Sequence, residues 1–268
     1  MITIMTKNNQ PIGLFDSGIG GTSIWKEVIK LLPNEKTVYL ADSKNAPYGE
    51  KSSQEILTLA IKNTEFLISK GCKLIIVACN TATTNAIDYL RENYPIPFIG
   101  IEPAIKPAAL FSKTGAIGIL ATKGTLSSKL FAKTAKEYTK NITIIEQDGE
   151  GLVTLIENGK TNSAELNTLL TKYLKPMLQF NIDHLVLGCT HYPYLIPQIT
   201  KIIGKNVVII DSGEAVAKQT KSILEKNKLV ANSTNNLAHQ LYTNSEPKIL
   251  EQIIKNVSVN FRVEKFDF

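Results

Sequence analysis

The feature that most limits what this chain can fold into is a series of short apolar runs that occurs twice. "PIGLFDSG", "VYLAD", "LIIVACNT" and "FIGIEPA" follow one another between residues 11 and 104. "GAIGILATKGT", "ITIIEQD", "HLVLGCT" and "VVIIDSGEA" follow in the same order between residues 115 and 215. The offsets are nearly constant: 105 from Ile12 to Ile117 (117 − 12), 110 from Cys79 to Cys189 (189 − 79) and 109 from Glu102 to Asp211 (211 − 102). Four echoes in one order, with matching cysteines, point to an internal duplication rather than to chance likeness among apolar strands.

Each run is rich in β-branched residues, and most are followed by an amphipathic stretch, the pattern of βαβ units on a parallel sheet. "PIGLF" leads through "DSGIGG" into a helix from about Thr22 to Leu32, stopped by Pro33. After "TVYLAD" comes the loop "SKNAPYGEK", then a helix with Ile56, Leu59, Ala60 and Leu67 on one face and Gly71 as its stop. The expected fold is α/β: two similar domains, each a mainly parallel sheet flanked by helices, related by a pseudo-twofold duplication. The active site is expected in the cleft between them, because ligands of open parallel sheets bind beyond the carboxyl ends of the strands.

Both Cys79 and Cys189 sit at such strand ends, at or near the start of a helical pattern, where backbone amides and the helix dipole favour a thiolate or a bound carboxylate. Three cysteines without a C-x-x-C give no disulfide framework, so the thiols stay available for chemistry in a reducing compartment. Cys72 has no twin and is expected to be a small buried hydrophobe. Two thiols facing each other suit inversion at carbon: one takes a proton from one face while the other returns one to the opposite face. A free thiol titrates near 8.5, so the pair can exchange roles at each turnover. Such a reaction needs no cofactor.

A net charge of +6 invites a nucleic-acid reading, but only Arg91 and Arg262 are arginines among the 30 basic residues. The lysines are spread along the chain, so a solvated surface is expected and no nucleic-acid partner. No apolar stretch reaches the roughly 20 residues a bilayer span requires, and "MITIMTKNNQ" lacks a signal-peptide core, so no membrane partner and a cytoplasmic location are expected. Glycines 18, 20 and 21 miss the dinucleotide fingerprint, whose third glycine falls at Ser23, and read as a tight turn. His184 and His239 read as structural.

"LFDSGIGG", "PYG", "ACNTA" and "LGCTHYP", in this order and at these separations, resemble the cofactor-independent glutamate racemases of the aspartate/glutamate racemase superfamily. The likeness runs from residue 12 to about 215. It implies Cys79 and Cys189 as the two acid–base residues, working on the D- and the L-enantiomer respectively. It implies Asp16 and Ser17 near the substrate amino group, and Tyr48, Gly49, Asn80, Thr81, Thr190 and His191 around its carboxylates. Asp16 and His191 are further implied as polar partners of the thiols, with the acidic Glu157 near the Cys189 side; by its place before Gly159, Glu157 would ordinarily be a solvated group. The segment after Asp211 is implied to return to the first domain. The domains would then be residues 1–101 with 212–268, carrying Asp16 and Cys79, and residues 102–211, carrying Cys189 and His191.

The resemblance also implies glutamate as the small-molecule substrate, supply of D-glutamate for peptidoglycan, and a homodimer as an assembly open to test. Many relatives carry Arg where this chain has Asn45, three residues beyond Asp42. Three rivals stand beside this reading. A metal site from Cys79, Cys189, His191 and Asp16 lacks the clustered spacing of zinc ligands, so no metal is expected. A carboxylate-binding protein without turnover has no use for two thiols. An aspartate racemase on the same fold commonly has an acidic residue where this chain has His191.

Overall fold

The computed structural model describes residues 7–138, 142–232 and 238–268. In chain order the first half runs β1 (Ile12–Asp16), α1 (Thr22–Leu31), β2 (Thr37–Ala41), α2 (Ser53–Ser69), β3 (Leu74–Val77), α3 (Asn80–Asn93), β4 (Phe98–Gly100) and α4 (Ile105–Phe111). The second half runs β5 (Ala116–Ala121), α5 (Lys123–Leu126), α6 (Lys129–Tyr138), β6 (Thr143–Asp148), α7 (Leu152–Glu157), α8 (Ala164–Leu178), β7 (His184–Gly188), α9 (Ile196–Ile203) and β8 (Val208–Ile210). A closing segment adds α10 (Gly213–Lys226), β9 (His239–Thr243), α11 (Pro247–Ile254) and β10 (Phe261–Lys265).

The strands form two sheets, ordered β10-β9-β2-β1-β3-β4 and β6-β5-β7-β8, and every pairing is parallel. The second order repeats the β2-β1-β3-β4 portion of the first, which is the duplication expressed as topology. Register agrees down to single residues. Gly13 on β1 lies between Val38 and Ile75, and Gly118 on β5 lies between Ile145 and Leu185. Both glycines leave room for a covering helix: a Cβ at Gly13 would meet Leu67 of α2 at 3.1 Å, and one at Gly118 would meet Met177 of α8 at 2.7 Å.

Local chemistry explains the helix starts. Ser52 and Glu55 form a capping box at α2, and the Ser163 hydroxyl accepts from Leu166 N–H at α8. Each supplies an acceptor to an amide the first helical turn would otherwise leave unpaired. β1 and β3 are buried along their whole length because helices cover both faces.

The segment after β8 returns to the first sheet. α10 packs on α1, while β9 pairs with β2 and carries β10 outside it. Trp25 of α1 secures this junction: its ring stands edge-on to His239 at 5.7 Å and to Phe261 at 6.5 Å. At the same, amino-terminal end of the strands, the buried Lys73 ammonium meets Glu35 at 2.5 Å, and the second Glu35 oxygen accepts from Ala231 N–H at 2.8 Å. Among the described residues, no helix is long and apolar enough to cross a membrane.

Candidate active site

Cys79 ends the loop after β3 and is itself the N-cap of α3, its sulfur accepting from Ala82 N–H at 3.4 Å. Cys189 directly follows β7, but a 3-10 turn over Tyr192–Leu195 separates it from α9. The twin motif predicts a helix start at both cysteines, and here the two differ. "HYPYLIP" carries Pro193 and Pro197, whose missing N–H groups delay the α-helix by a turn. Cys189 has His191 instead, with Nδ1 3.8 Å from its sulfur.

One pocket is lined by Ser17, Tyr48, Gly49, Cys79, Asn80, Thr81, Cys189, Thr190 and His191, together with Pro47, Thr122 and Val153. Of the residues proposed for the site from the sequence, Asp16 and Glu157 alone are outside this lining, and both stand directly behind it. Asp16 is fully buried, accepts from Gly21 N–H at 2.6 Å, and lies 3.4 Å from the Thr190 hydroxyl. Burial pushes its carboxyl above the usual range, while the charge of His191 and the Gly21 amide oppose that shift. Burial, reinforced by the Asp16 charge, also holds the Cys79 thiol well above its ordinary value.

The other side is built differently. His191 Nε2 is 2.5 Å from Glu157 Oε1, which also accepts from Ile19 N–H at 2.7 Å, and Ser43 donates to Oε2 at 2.8 Å. Glu157 is therefore not the solvated group its place before Gly159 suggests: its side chain is only 12% exposed. Burial works to lower the His191 pKa, but hydrogen bonds to Cys189 and Glu157 outweigh it and raise it well above the ordinary range. An imidazolium there is the partner that a thiolate at Cys189 requires.

The glycines that read as a tight turn have a second, stronger reason. None of Gly18, Gly20 and Gly21 adopts a left-handed backbone. A Cβ at Gly18 would fall 2.0 Å from Glu157 Oε1, one at Gly20 2.2 Å from His191 Nδ1, and one at Gly21 2.6 Å from Asp16 Cβ. Close approach, not φ, demands glycine: across the two halves at Gly18 and Gly20, and within the first half at Gly21.

Three lining residues escape the motif reading. Thr122 is the twin of Ser17 at the duplication offset of 105 (122 − 17), so the repeat itself carried the signal. Pro47 stands inside the quoted "PYG" motif but was given no role, and Val153 had no signal. Asp42 also matters: it accepts from the Tyr48 hydroxyl, from Asn244 Nδ2 at 2.5 Å and from Asn45 Nδ2 at 2.8 Å. Asn45 thus joins the network that fixes Tyr48. Both amide atoms of buried Asn80 lack a protein partner. Unpaired polar atoms in a dry wall cost about 1–3 kcal/mol each, so they mark where a polar ligand belongs. Among the described residues, no group of three or more His, Cys, Asp or Glu is arranged to hold a metal ion.

The duplicated parallel fold brings one thiol from each half to a shared pocket, and the chain's relatives give its class as racemase, an isomerase. The chain belongs to the Asp/Glu/hydantoin racemase family, whose model matches residues 21–220. It is 42% identical over 239 residues to a glutamate racemase of Herpetosiphon aurantiacus, covering 89% of this chain and 94% of that protein. Among solved structures, it resembles glutamate racemase isoform RacE1 of Bacillus anthracis with a TM-score of 0.85 and 32% identity, over 97% of this chain and 98% of the other. The glutamate racemase of Francisella tularensis in complex with D-glutamate matches with a TM-score of 0.83 and 32% identity, over the same shares of the two chains.

Proposed function

We propose that this protein is a glutamate racemase that interconverts L- and D-glutamate by cofactor-independent two-base proton transfer between Cys79 and Cys189. One observation carries the reading: thiols 110 residues apart (189 − 79), at equivalent strand ends of a duplicated fold, line the same pocket. The relatives supply the substrate, since those matched over nearly the whole chain are glutamate racemases and one of them is bound to D-glutamate.

In the L-to-D direction Cys189, as thiolate, takes the α-proton, and the electron pair passes into the α-carboxylate. The Cys79 thiol then protonates the opposite face, leaving Cys79 as thiolate and Cys189 as thiol. The D-to-L direction reverses the roles. The burial that raises Cys79 keeps it protonated, the state in which it donates. Asp16 is its hydrogen-bond partner, and His191 with Glu157 serves Cys189. Asp16 and Ser17 face the amino group in this reading. Tyr48, Gly49, Asn80, Thr81, Thr190 and His191 hold the carboxylates, with the unpaired Asn80 amide supplying hydrogen bonds that only a bound ligand completes.

The same reading takes residues 1–101 with 212–268 as one domain and 102–211 as the other. It places the enzyme in the cytoplasm, supplying D-glutamate for peptidoglycan, with a homodimer as the assembly to test by sedimentation. The deciding experiment follows optical rotation of L-glutamate without added cofactor, for the wild type and for Cys79→Ala and Cys189→Ala. Each variant should be folded by circular dichroism and fall at least about a thousandfold, the upper part of the range for a lost general acid or base. Substantial activity in either variant overturns the two-thiol assignment, and faster turnover of aspartate than glutamate moves the protein to the aspartate branch.

A further inference from the structure

The catalytic pocket is almost closed: the space open to water centres within it is about 10 Å3, room for roughly one water and not for an amino acid. Beside it lies a second cavity of about 480 Å3. The two share Pro47, Gly49, Thr122 and Val153 as walls, so the outer cavity is the antechamber of the inner one.

What divides them is a seam between the two halves. Thr81 of α3 meets Thr122 at 2.8 Å and Thr125 at 3.3 Å, hydroxyl to hydroxyl. Gly49 and Gly124 complete the contact: a Cβ at Gly49 would fall 2.9 Å from Thr122, and one at Gly124 would fall 2.9 Å from Thr81 and 3.2 Å from the Gly49 backbone.

The antechamber is charged on opposite sides. Lys51 and Lys123 line it, and neither ammonium has a salt-bridge partner among the described residues. Glu50, Asp148 and Glu150 line it too, and Asp148 feels the charges of Glu150, Lys123 and Glu50. Lys51 and Lys123 offer partners for two carboxylates, and Glu50, Asp148 and Glu150 offer partners for one ammonium, the charge pattern of an amino dicarboxylate.

We propose that this outer cavity is a docking site for the amino dicarboxylate substrate ahead of the catalytic pocket, with Lys51 and Lys123 receiving its carboxylates. The proposal rests on the reading of the chain as a glutamate racemase. It makes the two lysines determinants of capture, not of chemistry: they raise the rate at which glutamate reaches the seam and leave the proton transfers untouched.

The test compares the wild type with Lys51→Ala/Lys123→Ala and with a control, Lys221→Ala/Lys226→Ala, which removes the same net charge from α10. For the antechamber variant, kcat/KM for L-glutamate should fall about tenfold with kcat unchanged, and its decline with added salt should flatten, as loss of electrostatic capture requires. The control should follow the wild type. A second arm titrates D-glutamate into each protein by calorimetry, where the antechamber variant should bind several-fold more weakly. Equal kcat/KM, salt dependence and affinity in variant and control overturn the docking site. A fall confined to kcat also overturns it, because that places the lysines in the chemical step. A wild-type chain that fails to turn over glutamate sinks the racemase reading instead, and the calorimetric arm still decides the docking site.

Discussion

Gly20 and His191 touch across the two halves of the molecule: the Gly20 N–H lies 3.2 Å from Nε2, and a Cβ on residue 20 would stand 2.2 Å from Nδ1. The imidazole beside Cys189 is therefore held in place by the absence of a side chain 171 residues earlier. Gly20→Ala should fold, since its backbone is not left-handed, but it must push His191 away from Cys189. Activity should fall about a hundredfold or more, the scale of an ångström-sized misplacement of a reacting group. Steady-state rates in both directions, with circular dichroism as the folding control, check this, and near-wild-type rates would show that His191 position is not critical.

Glu157→Gln keeps the shape at His191 but removes the charge that faces it at 2.5 Å. A hydrogen bond to a charged group contributes about 1.5–3 kcal/mol, so L-to-D turnover should fall about tenfold to a hundredfold. The His191 pKa, raised by Cys189 and Glu157, should come down. The cationic form is present below that pKa and lost above it. The basic limb of the L-to-D pH profile should therefore move to lower pH, while the D-to-L profile shifts less. An unmoved basic limb would detach Glu157 from the titration of His191.

His239 carries a pH dependence of stability rather than of catalysis. Trp25 Nε1 donates to the Thr37 hydroxyl at 2.8 Å, and the same oxygen lies 2.9 Å from His239 Nδ1. Burial, with Lys36 adding to it, lowers its pKa from 6.5 to about 4. The folded state thus binds fewer protons than the unfolded state between about pH 4 and 6.5, and stability must rise with pH across that window. The contribution is fully present above pH 6.5 and is lost on acidification towards pH 4. Urea unfolding of wild type and His239→Gln across this range should give a shallower dependence for the variant. Parallel curves would assign the acid sensitivity elsewhere, Asp16 being excluded because a raised carboxyl acts with the opposite sign.

The sequence by itself determined the repeated βαβ series, the parallel sheets and the identity of both thiols. These are local or periodic properties: apolar runs specify strands, and a fixed offset aligns Cys79 with Cys189 whatever else the chain does. The same offset contained Thr122, the twin of Ser17. The family resemblance named Asp16, His191 and Glu157 as neighbours of the thiols; what only the tertiary structure decided is the contacts by which the two sides of the pocket differ. The position of Asp16 repeats as Ala121, so the second thiol takes its polar support from His191 and Glu157, which are 34 residues apart. That pairing depends on how α7 packs beside the turn after β7, and no periodicity encodes a contact between such distant elements. The glycines show the limit most plainly. Gly18, Gly20 and Gly21 read as turn residues because backbone freedom is a local property, whereas their work is to admit Glu157, His191 and Asp16. A missing Cβ acquires that meaning only once another part of the chain arrives to fill the space.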